Sequence, residues 1–318
     1  MNRRKFLGTT LTASGIVLAE GLGELVSAAT TSISKSEFAI GGDLMVNRMG
    51  FGAMRITGDG VWGWPKDRDN ALKVLRRAID LGVNFIDTAD AYGPETSELL
   101  IAEALHPYPK GLVIATKGGL TRPGPGEWVP NGKPEYLAQC VDKSLKRLKI
   151  ERIDLWQLHR IDRKVPVEDS LGAIRKAQEA GKIRHVGLSE VTADEIERAK
   201  KVLPIVSIQN RYNIEDRASE EALNYCEKAK MGFIPWAPIG GSGGSSFAKA
   251  GGPLEAEAKR HGATVTQLAL AWLLQRSPVM LPIPGTANIA HLEENMKAAN
   301  LQLTSEDWKK IEGSAKPV

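Results

Sequence analysis

Cysteine is scarce in this chain, and its histidines form no familiar metal-binding pattern. The 318 residues include two cysteines, Cys140 and Cys226, and neither belongs to a Cys-x-x-Cys pair. The five histidines form no His-x-His or His-Glu-x-x-His motif. These absences argue against zinc ribbons, thioredoxin-like redox proteins and metal hydrolases, so the sequence predicts no metal site. We expect the two cysteines to pack as small apolar side chains and to remain free thiols.

Long hydrophobic runs and a strong charge imbalance are also missing. Beyond the N-terminus no apolar run reaches the roughly 18 residues that a membrane-spanning helix needs. The 42 basic and 38 acidic residues leave a formal net charge of +4, and no basic run is interleaved with aromatic residues. We therefore expect neither stable membrane insertion nor nucleic-acid binding. The length allows two domains or one large barrel.

The first 28 residues are typical of an export signal rather than of a folded domain. Residues 3–7 (Arg-Arg-Lys-Phe-Leu) give a charged start, a weakly apolar stretch follows, and residues 26–28 (Val-Ser-Ala) offer a cleavage site. The twin arginine resembles a bacterial twin-arginine signal, which implies contact with the export machinery and a periplasmic or other extracytoplasmic location. The alternative is an uncleaved N-terminus on a cytoplasmic protein. We divide the chain into a signal segment at 1–28, a linker at 29–36 and a folded domain at 37–318.

After residue 36 the chain alternates short apolar runs with amphipathic stretches. Such apolar runs are typical of strands buried on both faces of a parallel sheet. The amphipathic stretch at 70–81 predicts a helix, Gly82 and Gly181 follow predicted helices, and Pro134 begins one. The predicted strands are 48–54, 84–87, 112–116, 153–158, 183–188, 205–209, 232–236 and 279–283. Eight strand–helix units in about 280 residues indicate an α/β fold, the (β/α)8 TIM barrel.

The start of the domain favours the barrel over its rival, a doubly wound sheet. A doubly wound sheet usually carries Gly-x-Gly-x-x-Gly after its first strand. Here the first predicted strand leads into residues 50–54 (Gly-Phe-Gly-Ala-Met), with no helical pattern directly behind them. A short N-terminal β-hairpin, with strands at 37–40 and 44–46, is predicted to precede the barrel.

Two glycine-rich stretches, 57–67 and 240–252, are predicted to be long loops that leave the carboxyl ends of strands. Barrel enzymes build their active sites from loops on this face. Trp62 and Trp64 lie in the first loop and Trp128 in another predicted mouth loop, so we expect these three to line a substrate pocket for flat or apolar groups. The alternative for the loop at 240–252 is a plain flexible connector.

Polar side chains follow the predicted strands at the points where the strands end. Asp87 ends the second strand and Tyr92 comes five residues later, while Lys117 follows the third strand and His159 the fourth. Singly, each has an ordinary structural explanation, such as a solvated rim charge or a capping residue. Because the carboxyl ends of the strands meet at one mouth, the four together predict a catalytic site there.

These residues belong to motifs that resemble those of the aldo/keto reductases. The catalytic motifs are Phe-Ile-Asp-Thr-Ala-Asp-Ala-Tyr-Gly at 85–93, Ala-Thr-Lys at 115–117 and Gln-Leu-His at 157–159. The cofactor motifs are Gly-Leu-Ser at 187–189, Ile-Gln-Asn-Arg-Tyr-Asn at 208–213, Ile-Pro-Gly-Thr at 283–286 and Glu-Asn at 294–295. The resemblance runs from about residue 36 to the C-terminus in the family's order and spacing. A narrower resemblance, to bacterial pyridoxal-reductase-like enzymes, rests on Val-Asn-Arg at 46–48 and Asp-Arg at 67–68.

The family resemblance implies an NAD(P)H-dependent oxidoreductase that reduces an aldehyde or ketone to an alcohol by hydride transfer. It assigns Tyr92 as the general acid, with Lys117, Asp87 and His159 in support. A tyrosine has an ordinary pKa of about 10, so we expect the Lys117 ammonium to lower the pKa of Tyr92 toward neutrality. Asp87 is expected to hold that ammonium in place, and His159 to orient the carbonyl group.

The same resemblance implies NADPH as the cofactor, with NADH possible. Ser189 and Gln209 match the positions that hold the carboxamide, and Trp236 matches the aromatic residue that stacks on the nicotinamide ring. The family usually has asparagine after the serine, whereas this chain has Glu190. An ionised carboxylate cannot donate a hydrogen bond, so the role of Glu190 stays open.

The adenosine-phosphate loop is expected at 285–295. Its candidate binding residues are Gly285, Thr286, His291, Glu294 and Asn295. The following helix N-terminus favours anions. Gly285 and His291 occupy places where NADP-specific relatives often have Lys and Arg, so we expect a modest preference for NADPH rather than exclusivity.

Two other classes of function are open at this point. Some members of the family are regulatory subunits of potassium channels that use bound nicotinamide as a redox sensor, without significant turnover. The four candidate catalytic residues favour an enzyme over this alternative. A metal hydrolase on the same fold would need a ligand cluster, which the sequence lacks. The expected partner is a small-molecule carbonyl substrate, and the family resemblance implies a monomer.

Overall fold

Parallel strands alternate with helices along the part of the chain that the structure, a computed structural model, describes. The described residues are 37–240, 252 and 254–314. The signal segment at 1–28, the linker at 29–36 and nearly all of the loop at 240–252 lie outside them. The strands are β1 (Glu37–Ile40), β2 (Leu44–Asn47), β3 (Phe51–Gly52), β4 (Phe85–Asp87), β5 (Val113–Gly118), β6 (Leu120–Thr121), β7 (Val129–Pro130), β8 (Ile153–Leu158), β9 (Ile183–Ser189), β10 (Ile205–Gln209) and β11 (Gly232–Phe233). The helices are α1 (Arg68–Asp80), α2 (Thr96–Leu105), α3 (Pro134–Leu148), α4 (Val167–Glu179), α5 (Ala193–Lys200), α6 (Glu220–Ala229), α7 (Glu255–Arg260), α8 (Val265–Arg276), α9 (Ile289–Lys297) and α10 (Ser305–Ser314).

Within the described residues, seven strands form one parallel sheet in the order β3-β4-β5-β8-β9-β10-β11. Helices follow β4, β5, β8, β9 and β10 along the chain, so each connection crosses back over the sheet. Every residue of β5 is buried, as expected for a strand covered on both faces. This arrangement confirms the prediction of a (β/α)8 barrel.

Residues 279–284 complete the barrel between β11 and β3 without forming a regular strand. The hydrogen bonds on the two sides run from Phe233 N–H to Val279 O at 2.9 Å, Leu281 N–H to Phe233 O at 2.8 Å, Gly50 N–H to Pro282 O at 3.0 Å and Gly52 N–H to Pro284 O at 3.4 Å. The predicted strand at 279–283 is therefore an extended segment. Pro282 and Pro284 explain this correction, because proline has no N–H to donate to a ladder.

Arg48 fastens the same junction from the other side. Its guanidinium donates to the carbonyl oxygens of Leu274, Ser277 and Met280, the last at 3.1 Å. Arg48 precedes β3 in the chain, so it ties the first strand–helix unit to the last. The arginine is buried, and these carbonyl partners compensate its loss of water.

The β1–β2 hairpin confirms the predicted hairpin and closes the amino-terminal end of the barrel. One buried cluster contains Ile40, Leu44 and Val46 of the hairpin together with Phe85, Val113, Leu155 and Leu281 of the barrel. Gly41 has a φ of +65°, and a Cβ at this position would lie 2.5 Å from the ring of His185. A glycine is therefore required where the hairpin turns against the barrel. Because this end is filled, a ligand has its place at the opposite, carboxyl-terminal mouth.

The outer helices begin and end at the signals that the sequence carries. The Asp67 side chain accepts a hydrogen bond from Asn70 N–H at 2.8 Å and so caps α1, which ends just before Gly82 at a φ of +86°. Pro134 is the first residue of α3, as predicted. Thr192 begins a capping box at α5 and Thr264 another at α8.

The structure corrects several predicted boundaries. The first strand is only β3, because residues 48–50 form no regular strand and a 3-10 helix at Ala53–Ile56 follows Gly52 directly. The strand predicted at 232–236 stops at Phe233, two residues before Pro235. The predicted loop at 57–67 contains a 3-10 turn at Asp59–Val61. The short β6–β7 hairpin was not predicted.

Two sequence-based expectations about other features can also be compared with the structure. Cys140 and Cys226 are both buried and are not joined to each other, which confirms the prediction of two free thiols. In the described part of the chain, none of the helices combines the length and the apolar character needed to cross a bilayer.

Candidate active site

The carboxylate of Asp87, at the end of β4, is the polar centre of the barrel mouth. Its Oδ1 accepts from Lys117 Nζ on β5 at 2.5 Å. Its Oδ2 accepts from the side-chain amides of Gln157 on β8 at 3.0 Å and Gln209 on β10 at 2.8 Å. The Lys117 side chain is 0% exposed and that of Asp87 is 2% exposed. Four strands thus share one buried ion pair, and the two amide donors offset part of the cost of burying it.

Lys117 uses its ammonium group on three partners. Besides Asp87, Nζ donates to Thr88 O at 2.8 Å and to the Tyr92 hydroxyl at 3.3 Å. Burial lowers the pKa of Lys117, but Asp87 and Tyr92 raise that pKa by more, so the ammonium is charged. Among the described residues, Lys117 is the only cation that hydrogen-bonds to the Tyr92 hydroxyl. Its bonds to Asp87 and Thr88 hold it in position there.

Tyr92 is buried, and this corrects the expectation about its acidity. Burial raises the pKa of Tyr92 above its ordinary value, and the Lys117 charge lowers it by less. Asp87 also raises the pKa of Tyr92, because its negative charge cancels part of the lysine's effect. The predicted shift toward neutrality is wrong in direction. Tyr92 keeps its proton at physiological pH, which is the state that a proton donor needs.

His159 follows β8 and faces Tyr92. The two ring centroids are 5.8 Å apart and the rings are nearly perpendicular. Burial, followed by the charges of Lys117, Arg160 and Arg122, holds the pKa of His159 well below its ordinary value. The imidazole is therefore neutral and carries one N–H, which suits it to orient a carbonyl oxygen without adding charge.

Two of the three predicted pocket tryptophans lie at this site. The Trp128 ring is 6.3 Å from the rings of both Tyr92 and His159, measured between centroids. The Arg122 guanidinium lies 3.6 Å from the Trp128 centroid and 5.4 Å from that of Trp62. Arg122 also donates to the carbonyl of residue 91 at 2.7 Å, so it ties both indoles to the loop that carries Tyr92.

Trp64 lies farther out. The residue is 49% exposed, and the Arg68 guanidinium covers one side of its ring at 4.9 Å from the centroid. Among the described residues no ring contact joins it to Tyr92 or His159. The structure therefore brings Trp62 and Trp128, but not Trp64, to the predicted pocket.

Beside this centre lie the residues predicted to hold a nicotinamide carboxamide. Ser189 ends β9, is 1% exposed and accepts from Arg160 at 3.0 Å. Gln209 uses its amide nitrogen on Asp87, and its carbonyl oxygen accepts from no group in the described part of the chain. A hydroxyl and a free amide carbonyl fit a primary amide, which both accepts and donates. Trp236 is adjacent, since its backbone N–H donates to the backbone oxygen of Asn210 at 3.1 Å.

The Glu190 carboxylate accepts hydrogen bonds from groups other than Ser189 and Gln209. Its Oε1 accepts from the Trp236 indole N–H at 2.6 Å and from the Arg211 backbone N–H at 2.8 Å. Glu190, which stands where the family usually has asparagine, therefore accepts a hydrogen bond from Trp236.

The predicted phosphate loop begins where two glycines cross. A Cβ on Gly285 would lie 2.5 Å from Gly52 O, and a Cβ on Gly52 would lie 2.6 Å from Ile283 O. The two backbones can come this close only without side chains. The result is a close crossing of two backbone segments at the start of the loop that leads into the N-terminus of α9.

The remaining residues of this loop differ in what they contact. Thr286 Oγ1 accepts from Asn288 N–H at 3.0 Å, and Asn288 caps α9 by accepting from His291 N–H at 3.1 Å. His291 is exposed in the first turn of α9, and Asn295 is buried. Glu294 accepts from the Thr264 hydroxyl at 2.6 Å, so its described contact holds α9 to the start of α8.

Sequence reasoning missed Gln157, Arg122 and Arg160 as parts of the site. The sequence does carry a signal for Gln157. It lies two residues after Leu155 in the same strand, and side chains two residues apart point to the same face. Because Leu155 faces the barrel interior, Gln157 is expected to face it too. Arg122 and Arg160 lie in irregular segments, where periodicity indicates no direction.

The chain belongs to the aldo/keto reductase family, because residues 48–316 match the model of that family. An uncharacterized oxidoreductase of Schizosaccharomyces pombe is 54% identical over 275 residues, which are 86% of this chain and 89% of that protein. Pyridoxine 4-dehydrogenase of Escherichia coli is 40% identical over 292 residues, covering 88% of this chain and 99% of that enzyme. The solved glycerol dehydrogenase of Gluconobacter oxydans superposes with a TM-score of 0.79 at 26% identity, covering 88% and 95% of the two chains.

These comparisons confirm the prediction of an enzyme. The protein is an NAD(P)H-dependent oxidoreductase that reduces an aldehyde or ketone to an alcohol by hydride transfer. Nothing in the comparisons supports the alternative of a regulatory subunit.

Proposed function

We propose that Tyr92 is the proton donor of this reduction and that Lys117, Asp87 and His159 support it. The observation that carries this proposal is the Tyr92 hydroxyl, which lies 3.3 Å from the ammonium of a fully buried lysine. A tyrosine that has its proton and touches a fixed cation can give the proton up and leave a stabilised anion.

Each residue has one task in this mechanism. NADPH supplies the hydride when it is bound. As the carbonyl carbon gains the hydride, its oxygen becomes negative and takes the hydroxyl proton of Tyr92, which gives the alcohol. Lys117 stabilises the tyrosinate that is left, and Asp87 holds Lys117. His159 donates a hydrogen bond to the same substrate oxygen and so fixes its position.

For the cofactor we propose that Ser189 and Gln209 hold the carboxamide, that Trp236 packs against the nicotinamide ring, and that the segment 285–295 binds the adenosine phosphate. A modest preference for NADPH is supported by the N-terminus of α9, which follows Gly285, and by His291, which is exposed in the first turn of that helix where relatives often have arginine. NADH remains usable in this proposal because positions 285 and 291 hold glycine and histidine rather than lysine and arginine.

We propose a flat aromatic aldehyde of the pyridoxal type as the substrate class. Two observations support it: the relationship to pyridoxine 4-dehydrogenase, and the indoles of Trp62 and Trp128 held beside Tyr92 by Arg122. Aromatic rings favour stacked or edge-to-face partners, so a planar substrate gains more here than a flexible one.

The test uses Tyr92→Phe with pyridoxal and NADPH. Turnover is expected to fall by at least about 10²-fold, the lower value for a general acid. The Kd for NADPH, from quenching of protein fluorescence, is expected to stay nearly unchanged. Near-normal turnover in this variant would remove Tyr92 from the mechanism. A kcat/KM for a small aliphatic aldehyde equal to that for pyridoxal would refute the substrate class alone.

For location we propose export by the twin-arginine route, supported by the pattern at residues 3–7. The double variant Arg3→Lys and Arg4→Lys is expected to leave the protein in the cytoplasmic fraction. Unchanged fractionation would reject the signal. We further propose that the enzyme works as a monomer, which sedimentation velocity can measure.

A further inference from the structure

Glu190 is the first residue after β9, and its backbone is unusual. Its φ is +58°, in the left-handed region that residues other than glycine rarely adopt. Its N–H donates to Gln209 O at 3.1 Å, so the strained residue is anchored to β10. Strain of this kind persists where the surrounding structure requires it, which marks the residue as one to examine for a role in the site.

The Glu190 carboxylate contacts Trp236, which lies in the segment after β11. Oε1 lies 2.6 Å from the indole nitrogen of Trp236 and 2.8 Å from the backbone nitrogen of Arg211. The Arg211 guanidinium carbon lies 5.6 Å from the centroid of the same indole. The Glu190 carboxylate therefore holds the edge of the indole, and Arg211 covers one of its faces. The Trp236 backbone N–H donates to Asn210 O.

We propose that Glu190 is a positioning residue: it fixes the plane of Trp236 as the surface for the nicotinamide ring and does not itself bind the carboxamide. This proposal rests on the cofactor site proposed above. A charge-assisted hydrogen bond is short and directional, so it restricts rotation of the indole before the cofactor arrives. Restricting a side chain in its binding conformation lowers the entropy that binding must overcome.

A double-mutant cycle tests whether Glu190 acts through Trp236. Glu190→Ala removes the acceptor, and Trp236→Phe keeps an aromatic ring but removes the donor. We expect each to raise the Kd for NADPH by about three- to tenfold, the range of one hydrogen bond. The double variant is expected to bind no more than about twofold worse than the weaker single variant. Titration calorimetry measures all four proteins, which avoids reading an indole signal that one variant lacks.

Three further measurements separate the possible causes. Glu190→Gln keeps an acceptor oxygen and is expected to recover most of the affinity lost in Glu190→Ala. The 3-acetylpyridine analogue of NADP lacks the amide N–H, and its affinity relative to NADP is expected to be the same in wild type and Glu190→Ala. Glu195→Ala is the matched control, because Glu195 also accepts a backbone N–H, that of Thr192, but does so in the exposed capping box of α5. Its Kd for NADPH is expected to match wild type.

Each of the other possible results would refute a specific part of the proposal. Losses that multiply in the double variant would show that Glu190 acts independently of Trp236. An analogue ratio that changes in Glu190→Ala would show direct contact with the carboxamide. A large loss in Trp236→Phe with none in Glu190→Ala would reject the positioning role and keep the cofactor site. No loss in either single variant would also reject the positioning role, whereas no loss in Trp236→Ala, which removes the ring, would reject the place of Trp236 in the proposed cofactor site.

Discussion

Replacing Lys117 by methionine separates the stability of the buried ion pair from its chemistry. Methionine has nearly the shape of the lysine stem, so little packing is lost. The change leaves the Asp87 carboxylate without its cation in a place where the side chain is only 2% exposed. The two amide donors, from Gln157 and Gln209, remain on Oδ2.

The size of the effect follows from these contacts. Removing one partner of a buried ion pair costs about 3–5 kcal/mol, because a charge is left uncompensated. Since two amide hydrogen bonds to Asp87 survive, we expect the lower part of that range, about 3 kcal/mol of unfolding free energy. The double variant Lys117→Met with Asp87→Asn removes both charges. It is expected to be at least about 1 kcal/mol more stable than Lys117→Met alone, because no unpaired charge is then buried.

Urea unfolding at equilibrium, followed by tryptophan fluorescence, measures these differences. The matched control is Lys182→Met, which breaks the exposed Lys182–Asp142 pair at 2.6 Å and is expected to cost under about 1 kcal/mol. A loss in Lys117→Met no larger than that of the control, or a double variant less stable than the single, would refute this account.

Three further predictions concern catalysis and specificity. Burial raises the pKa of Tyr92 and lowers that of His159. The kcat for reduction is therefore expected to be constant from about pH 6 to 8 and to fall only in alkali, where Tyr92 loses its proton. A stopped-flow pH profile with a midpoint near neutrality would contradict this. Arg122→Ala frees the two pocket tryptophans and is expected to raise KM for pyridoxal by about three- to tenfold, within the range of a cation–π contact, with an unchanged Kd for NADPH. His291→Ala is expected to lower the NADPH-to-NADH ratio of kcat/KM, whereas an unchanged ratio would remove His291 from the phosphate site.

Much of the site could be predicted because its residues lie at the ends of contiguous buried runs. Asp87, Lys117 and Gln209 each end or lie within a strand that a run of apolar residues marks, and parallel strands bring such ends together. Their motifs also keep the family's order, which assigned the fold and the reaction class.

Other features depend on contacts between distant parts of the chain, and a local sequence pattern does not show such contacts. The orientation of Glu190 depends on Trp236, 46 residues away, and on a left-handed backbone that the residue type does not indicate. The acidity of Tyr92 depends on how completely the finished barrel excludes water, and composition near the residue does not show this. The irregular eighth segment follows from Pro282 and Pro284, which lack the N–H that a strand ladder needs although the run around them is apolar.

The junction between the two ends of the barrel has a consequence for synthesis on the ribosome. Arg48 donates to Met280 across 232 positions of sequence, and the backbone bonds of Gly50 and Gly52 span similar distances. While the chain emerges, β3 has β4 on one side and nothing to pair with on the other. The barrel can close only after the segment at 279–284 has left the exit tunnel, so the nascent enzyme carries an open sheet edge through most of its translation.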